Sequence, residues 1–233
     1  MTNDSICLNC QKTLHKSTTF ADLFLWRKIK NELLCDECFL LFEKIDFTTS
    51  CQGCCKPDIE QESLCSDCAH WESIYPDLET KNISLFKYTS FAKEWMIRFK
   101  LVGDVRCGMV FNKILTDIVK TKFSDYKIIP IPSSEKSLVE RGFNQIHVLL
   151  DSAGLSYSEV LINNTNDTNQ SQKTRTERLL TSQPFEIKQD HVIKNKKLLI
   201  IDDVYTTGRT VYHAKILLYK HGAKRVDSLT IFR

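Results

Sequence analysis

No stretch of this chain approaches the roughly 18 consecutive apolar residues that a membrane-spanning helix needs. The longest apolar runs are patches such as Phe39 to Phe42 and Leu198 to Ile201, which fall well short. The opening residues, Met1 to Asn9, lack the basic and then apolar regions of a secretory signal. A cytoplasmic protein without a membrane span is therefore expected. Glycine is scarce, with seven in 233 residues. At 42% hydrophobic and 26% charged, the composition excludes a disordered chain and a coiled-coil rod. A mass of 27.0 kDa suits one α/β domain with a small appendage and excludes two large domains.

Cysteine is abundant and clustered. Nine of the ten cysteines precede residue 69, and only Cys107 lies beyond. In a reducing compartment such a cluster points to metal rather than disulfides. Four CxxC units follow in order: Cys7/Cys10, Cys35/Cys38, Cys51/Cys54 and Cys65/Cys68. A two-residue spacing lets a tight turn present two sulfurs to one tetrahedral ion, and two such turns complete a site. Two structural zinc sites are expected, with redox-active thiols and an iron–sulfur cluster as the alternatives. Sequential pairing of the units is the simplest, and an interleaved pairing stays open. Cys55 competes with Cys54 as the partner of Cys51, and His70 is a further alternative ligand.

The formal charge of +3 conceals an asymmetry. Residues 1–76 hold 7 Lys+Arg against 12 Asp+Glu, a net of −5, whereas residues 77–233 hold 25 against 17, a net of +8. Eight zinc thiolates would take the first segment to about −9. Such a surface favours docking or a structural role over contact with phosphate, although Arg27, Lys28 and Lys30 form a small basic cluster there. The stretch Phe20 to Ile29 is compatible with a short element packed across the first site. The expected division is a metal-binding module over 1–76 and an α/β body over 77–233.

In the body, strands are expected at Ile83–Tyr88, Lys127–Pro132, Glu159–Ile162, Phe185–Ile187, Lys197–Ile201 and Arg225–Phe232. Helical spacing covers Ser90–Phe99, Val105–Val119, Ser137–Leu150 and Thr210–His221. Strands alternating with helices argue a parallel sheet covered on both faces, with ligands at the carboxyl ends of its strands. The chemistry concentrates in Leu198-Leu-Ile-Ile-Asp-Asp-Val-Tyr-Thr-Thr-Gly-Arg-Thr210. A buried strand delivers Asp202 and Asp203, and a short hydroxyl-rich loop containing Gly208 precedes a helix. Backbone N–H groups, threonine hydroxyls and the positive helix end together suit a phosphate. The carboxylates beside them suit the two hydroxyls of a ribose.

That string resembles the motif by which type I phosphoribosyltransferases bind phosphoribosyl pyrophosphate (PRPP). Pro130-Ile-Pro-Ser-Ser, Arg141-Gly-Phe-Asn-Gln145, the run Gln170 to Arg178 followed by Phe185, and the CxxC array resemble the ComF family of competence-associated proteins. The resemblance implies a type I phosphoribosyltransferase (Rossmann-like) fold, an α/β parallel-sheet domain preceded by a small four-cysteine zinc-binding module. It assigns the ribose hydroxyls to Asp202 and Asp203, and the 5′-phosphate to Thr206, Thr207, Gly208, Arg209 and Thr210. Arg209 departs from the alanine common at that position. Ser133, Ser134, Lys136 and Arg141 become candidates for the pyrophosphate loop, which here contains no glycine. Lys173, Arg175 and Arg178, in a polar stretch read as a mobile loop, become candidates for a lid, and Lys87 and Lys100 for a groove. Magnesium is expected to arrive with PRPP.

By function, the resemblance implies a factor that handles incoming single-stranded DNA in natural transformation, beside a helicase-like partner docked on the zinc head. The alternatives are an active transferase displacing pyrophosphate from PRPP with an unknown acceptor, and a PRPP-responsive regulator. No residue pattern identifies the acceptor or a general base.

Overall fold

The computed structural model describes residues 5–14, 32–59, 63–79, 81–164, 183–188 and 190–233. Phe20 to Ile29, with its basic cluster, and the lid candidates Lys173, Arg175 and Arg178 lie outside the described residues.

A four-stranded parallel sheet forms the centre, in the order β3-β8-β7-β4: β3 (Asn82–Phe86), β8 (Arg225–Phe232), β7 (Lys197–Val204) and β4 (Lys127–Pro130). β7 sits inside because its apolar run satisfies both faces of a parallel sheet. Leu198 and Ile200 join Ile129, Val226 and the Ala214 and Leu218 side chains of α8 (Arg209–Lys220). Leu199 and Ile201 face the opposite way, into a larger core with Leu229, Ile231, Trp95, Leu115, Ile146 and Leu149. Those last four residues come from α3 (Ser90–Ile97), α5 (Asn112–Lys122) and α7 (Gln145–Ala153). A short antiparallel pair, β5 (Leu161–Asn163) with β6 (Phe185–Ile187), lies beside the sheet.

Three long elements differ from their sequence expectation. The helix expected over 137–150 is two, α6 (Glu135–Arg141) and α7, because Gly142 takes a left-handed φ of 75° and Asn144 caps the restart by accepting from the Ile146 N–H at 2.9 Å. The helix expected over 105–119 is likewise two, α4 (Arg106–Met109) and α5. α3 continues into a π-helical turn, Arg98–Val102, that ends at Gly103 with φ 78°. Asp104 fixes that turn by accepting from Arg98 at 2.6 Å and from Arg106 at 2.8 Å.

The cysteine-rich segment includes the pair β1 (Ser5–Ile6) and β2 (Thr13–Leu14) and the helices α1 (Asp36–Phe39) and α2 (Ser66–Ile74). It shares the large core. Phe42 packs against Phe86, Phe91, Trp95, Phe111 and Phe232, with ring centroids 5.0–5.9 Å away. Residues 43–45 run antiparallel along the edge strand β3, where Ile45 N–H donates to the Leu85 carbonyl and Lys87 N–H to the Glu43 carbonyl. That pairing covers the sheet edge. No helix among the described residues is long and apolar enough to cross a membrane.

Candidate functional site

A cleft of about 460 Å³ opens where β7 and β4 end. Its walls include Ile131, Ser133, Ser134 and Arg141 after β4, Asn163 and Phe185 from the β5–β6 pair, and Asp202, Arg209, Thr210 and His213 from β7 and α8. Lys100, on the π-helical turn, completes it. The cleft therefore offers one acid, Asp202, against three basic side chains, Lys100, Arg141 and Arg209, at the positive end of a twelve-residue helix. This charge balance suits a phosphorylated ligand that also presents hydroxyl groups.

The adjacent acids part company. β7 continues to Val204, three residues beyond its expected end, so Asp202 and Asp203 obey strand alternation and point to opposite faces. Asp202 lines the cleft. Its Oδ1 accepts from the Asp203 N–H at 2.9 Å, and burial together with the neighbouring Asp203 carboxylate pushes its acid up to about 8. Asp203 is buried on the other face; its Oδ2 accepts no well-aligned hydrogen bond and is compensated by the Lys100 ammonium at 2.9 Å. Lys100 thus touches both acid environments.

The loop between β7 and α8 is bent at Gly208, whose φ is 81° and where a Cβ would collide with the Tyr205 hydroxyl. Thr206 and Thr207 are exposed on this loop and, with Gly208, stand outside the cleft lining. Arg209 begins α8 and reaches His213, one turn later, at 3.5 Å. Burial and that guanidinium lower the His213 basicity, favouring neutral imidazole. Across the cleft, Gln145 Oε1 accepts from Arg141 at 2.9 Å and from Ser133 at 3.2 Å, so both polar groups are held in place. Ser134 caps α6 by accepting from the Ser137 N–H. Lys136 is exposed and outside the lining, and Lys87 lies near Glu43 at 3.9 Å, away from the cleft.

The structure brings the eight CxxC cysteines into two sequential groups, Cys7/Cys10/Cys35/Cys38 and Cys51/Cys54/Cys65/Cys68, in each of which the four sulfurs lie within 4.8 Å of one another. Metal–sulfur bonds of about 2.3 Å in a tetrahedron require sulfur–sulfur edges of about 3.8 Å. Cys7–Cys35 and Cys10–Cys35 are 3.8 Å apart, and Cys54–Cys65 are 3.6 Å apart. Backbone N–H groups point at the sulfurs, from Cys35 to Cys7 at 3.4 Å and from Cys65 to Cys51 at 3.2 Å. Both donor sets fit zinc. Cys55 and His70 belong to neither group: Cys55 has a left-handed φ of 59° and its thiol donates to the Asn82 carbonyl. Burial raises the Cys55 thiol, and pushes the Cys107 thiol up to about 11.

Both groups are tied to the cleft by residues that sequence motifs do not mark. Arg98 donates to the Leu8 carbonyl at 2.7 Å, joining the first group to the turn that carries Lys100. Arg233 and Trp71 join the second group to the loop 205–208. His213 and Asn163 also enter the lining unannounced, whereas Gln145 closes the string Arg141-Gly-Phe-Asn-Gln145. The sequence signal for His213 is its one-turn spacing from Arg209.

Residues 141–233 match the phosphoribosyl transferase domain family. The chain is 35% identical over 227 residues to competence protein ComFC of Streptococcus pneumoniae, covering 97% of this chain and 99% of the other. It is 33% identical over 233 residues to competence protein ComFC of Bacillus subtilis, covering 98% of this chain and 95% of the other. Among solved structures, glutamine phosphoribosylpyrophosphate amidotransferase from B. subtilis is 18% identical, with 55% of this chain and 26% of that chain covered and a TM-score of 0.38.

Proposed function

Because the chain belongs to the ComFC family of competence proteins and carries a phosphoribosyltransferase domain, we propose that its cleft binds PRPP and that the protein handles incoming single-stranded DNA during natural transformation. The observation that supports ligand binding is the single acid, Asp202, set among Lys100, Arg141 and Arg209 at the N-terminus of α8. In this reading Asp202 accepts hydrogen bonds from the ribose hydroxyls. The loop and first turn over 206–210 hold the 5′-phosphate through N–H groups, Thr hydroxyls and Arg209. Arg141 and Ser133, both steadied by Gln145, face the pyrophosphate, and Lys100 adds a cation.

Magnesium bound to PRPP supplies charge neutralisation, held by ligand oxygens and water. Zinc at the two four-cysteine groups is structural. The division into a zinc module over 1–76 and a transferase body over 77–233, a helicase-like partner on the acidic module and a cytoplasmic setting complete the proposal. The experiment is calorimetric titration of the full chain with Mg²⁺-PRPP. Binding that disappears in Asp202→Asn is expected, and no binding by the wild type would sink the reading.

A second reading, catalytic transfer, draws on Asp202 of β7 and Arg141 at the end of α6 facing the same cleft. An acceptor atom would bond to C1 of the ribose while pyrophosphate departs with the electron pair, its charge stabilised by Arg141 and Lys100. Pyrophosphate release in the presence of nucleobases, amines or oligonucleotides tests it. Binding of PRPP with no release under any of these leaves a binding protein or a PRPP-responsive regulator.

A further inference from the structure

We propose that the Cys51/Cys54/Cys65/Cys68 site positions the loop 205–208 for phosphate binding, with Arg233 as the positioning residue that couples the two. The inference rests on reading that loop as the 5′-phosphate site, and it goes beyond that reading by making the affinity for the phosphoribosyl ligand depend on an ordered metal site behind the loop.

Arg233 is 9% exposed, and its planar guanidinium is divided between the two structures. On the metal side Nε donates to Cys54 Sγ at 3.2 Å and Nη2 approaches Asp67 Oδ2 at 3.4 Å. On the loop side Nη1 donates to the Thr206 carbonyl at 2.5 Å and to the Tyr205 carbonyl at 3.4 Å. The guanidinium also lies over the Tyr205 ring at 5.1 Å. A second tie starts from the same metal site. α2 begins immediately after Cys65, contains Cys68, and one turn later presents Trp71. The Trp71 indole donates to the Thr207 carbonyl at 2.8 Å and stacks on Tyr212 of α8 at 4.4 Å. The four cysteines themselves pack in one apolar cluster with Tyr205 and Val211.

Three successive carbonyls, of residues 205, 206 and 207, are therefore turned toward the metal site. In a planar trans peptide the carbonyl and the following N–H point in opposite directions. Holding those carbonyls turns the N–H groups of Thr206, Thr207 and Gly208 away from the metal site. None of the three donates a hydrogen bond to another described residue. A metal ion held by the four thiolates would fix the Cys54 sulfur that Arg233 meets, and so would hold the guanidinium from behind. The first four-cysteine group has no such contact with this loop among the described residues; Arg98 links it to the π-helical turn instead.

Full-length wild type, Arg233→Met, Arg233→Lys and Trp71→Phe are to be compared, each loaded with Co²⁺ and checked for metal content. Mg²⁺-PRPP is expected to perturb the thiolate-to-cobalt absorption of the wild type, since coupling between sites is reciprocal. Arg233→Met should retain the metal, lose that perturbation, and bind PRPP weaker by roughly 5- to 150-fold, the ordinary range of such coupling. Arg233→Lys and Trp71→Phe should fall between. Unchanged PRPP affinity in metal-replete Arg233→Met would overturn the inference. Hydrogen exchange of the amides at 206–208 in the ligand-free proteins decides it independently of PRPP. Faster exchange in Arg233→Met supports the coupling, and equal exchange refutes it even if the wild type binds no PRPP.

Discussion

Adjacent identical residues can do opposite things when a strand carries them, and Asp202 and Asp203 do so here. Asp202, raised to about 8, keeps its proton in the fold but ionises near pH 4 in the unfolded chain. Between those values the folded state binds more protons, so stability falls as pH rises from about 4 to about 8 and levels off above. Asparagine carries no such proton. Asp202→Asn is therefore expected to abolish PRPP binding yet raise Tm at pH 8 by roughly 2–4 °C, equivalent to about 1 kcal/mol with cleft water screening part of the effect. Calorimetry at pH 4 and pH 8 reads the difference, and the same Tm gain at both would contradict a buried proton. Asp203→Asn should instead destabilise by about 2 kcal/mol, below the roughly 3–5 of a fully buried pair because Lys100 reaches the cleft. Urea denaturation measures that loss, and an unchanged midpoint would show that the Lys100 pair is idle. The sequence announces the acids, Gly208 and the eight cysteines of the two groups, because their chemistry is local. It does not announce the pairing of Lys100 with Asp203, nor Trp71 and Arg233, whose roles exist only where distant segments meet.

At the scale of elements, apolar runs were readable and interruptions were not. β6 and β8 fall where alternation and β-branched content place them. The helix over 137–150 reads as continuous because apolar spacing carries across Gly142, and only the left-handed turn at that residue divides it. The division matters, since it sets Arg141 at the end of one helix and Gln145 at the start of the next, close enough to bond. The segment from Phe39 to Phe42 illustrates the converse. Four apolar residues between cysteine knuckles look like filler, yet Phe42 is 2% exposed and is ringed by aromatics from β3, α3 and β8. Phe42→Ala should cost about 3–5 kcal/mol, the range for deleting a buried aromatic ring. Chemical denaturation of metal-loaded protein reads it, and a loss under about 1 kcal/mol would mean that the two regions are held together by the hydrogen bonds of Arg98, Trp71 and Arg233 rather than by a shared core.

That shared core decides how the charge asymmetry of the whole molecule is to be tested. Residues 1–76 are acidic and residues 77–233 basic, which invites an experiment on the basic part alone. Phe42, the edge pairing of residues 43–45 and Arg233 all cross that division, so a truncated body would lose core, sheet edge and loop support together. The full chain is the proper object. If its basic body binds single-stranded DNA, phosphates displace counterions, and log K should fall linearly with log salt at a slope near −0.7 per phosphate contacted. Four contacts would give a slope of about −2.8, and so a loss of roughly fifty-fold from 50 to 200 mM salt. Fluorescence anisotropy of a labelled oligonucleotide across that range provides the slope. The acidic residues 1–76 repel the same phosphates, so neutralising the exposed Glu37 and Glu43 there should tighten binding slightly without changing the slope. A slope near zero, or binding that weakens when those acids are removed, would mean that the oligonucleotide is not held by the body's positive charge.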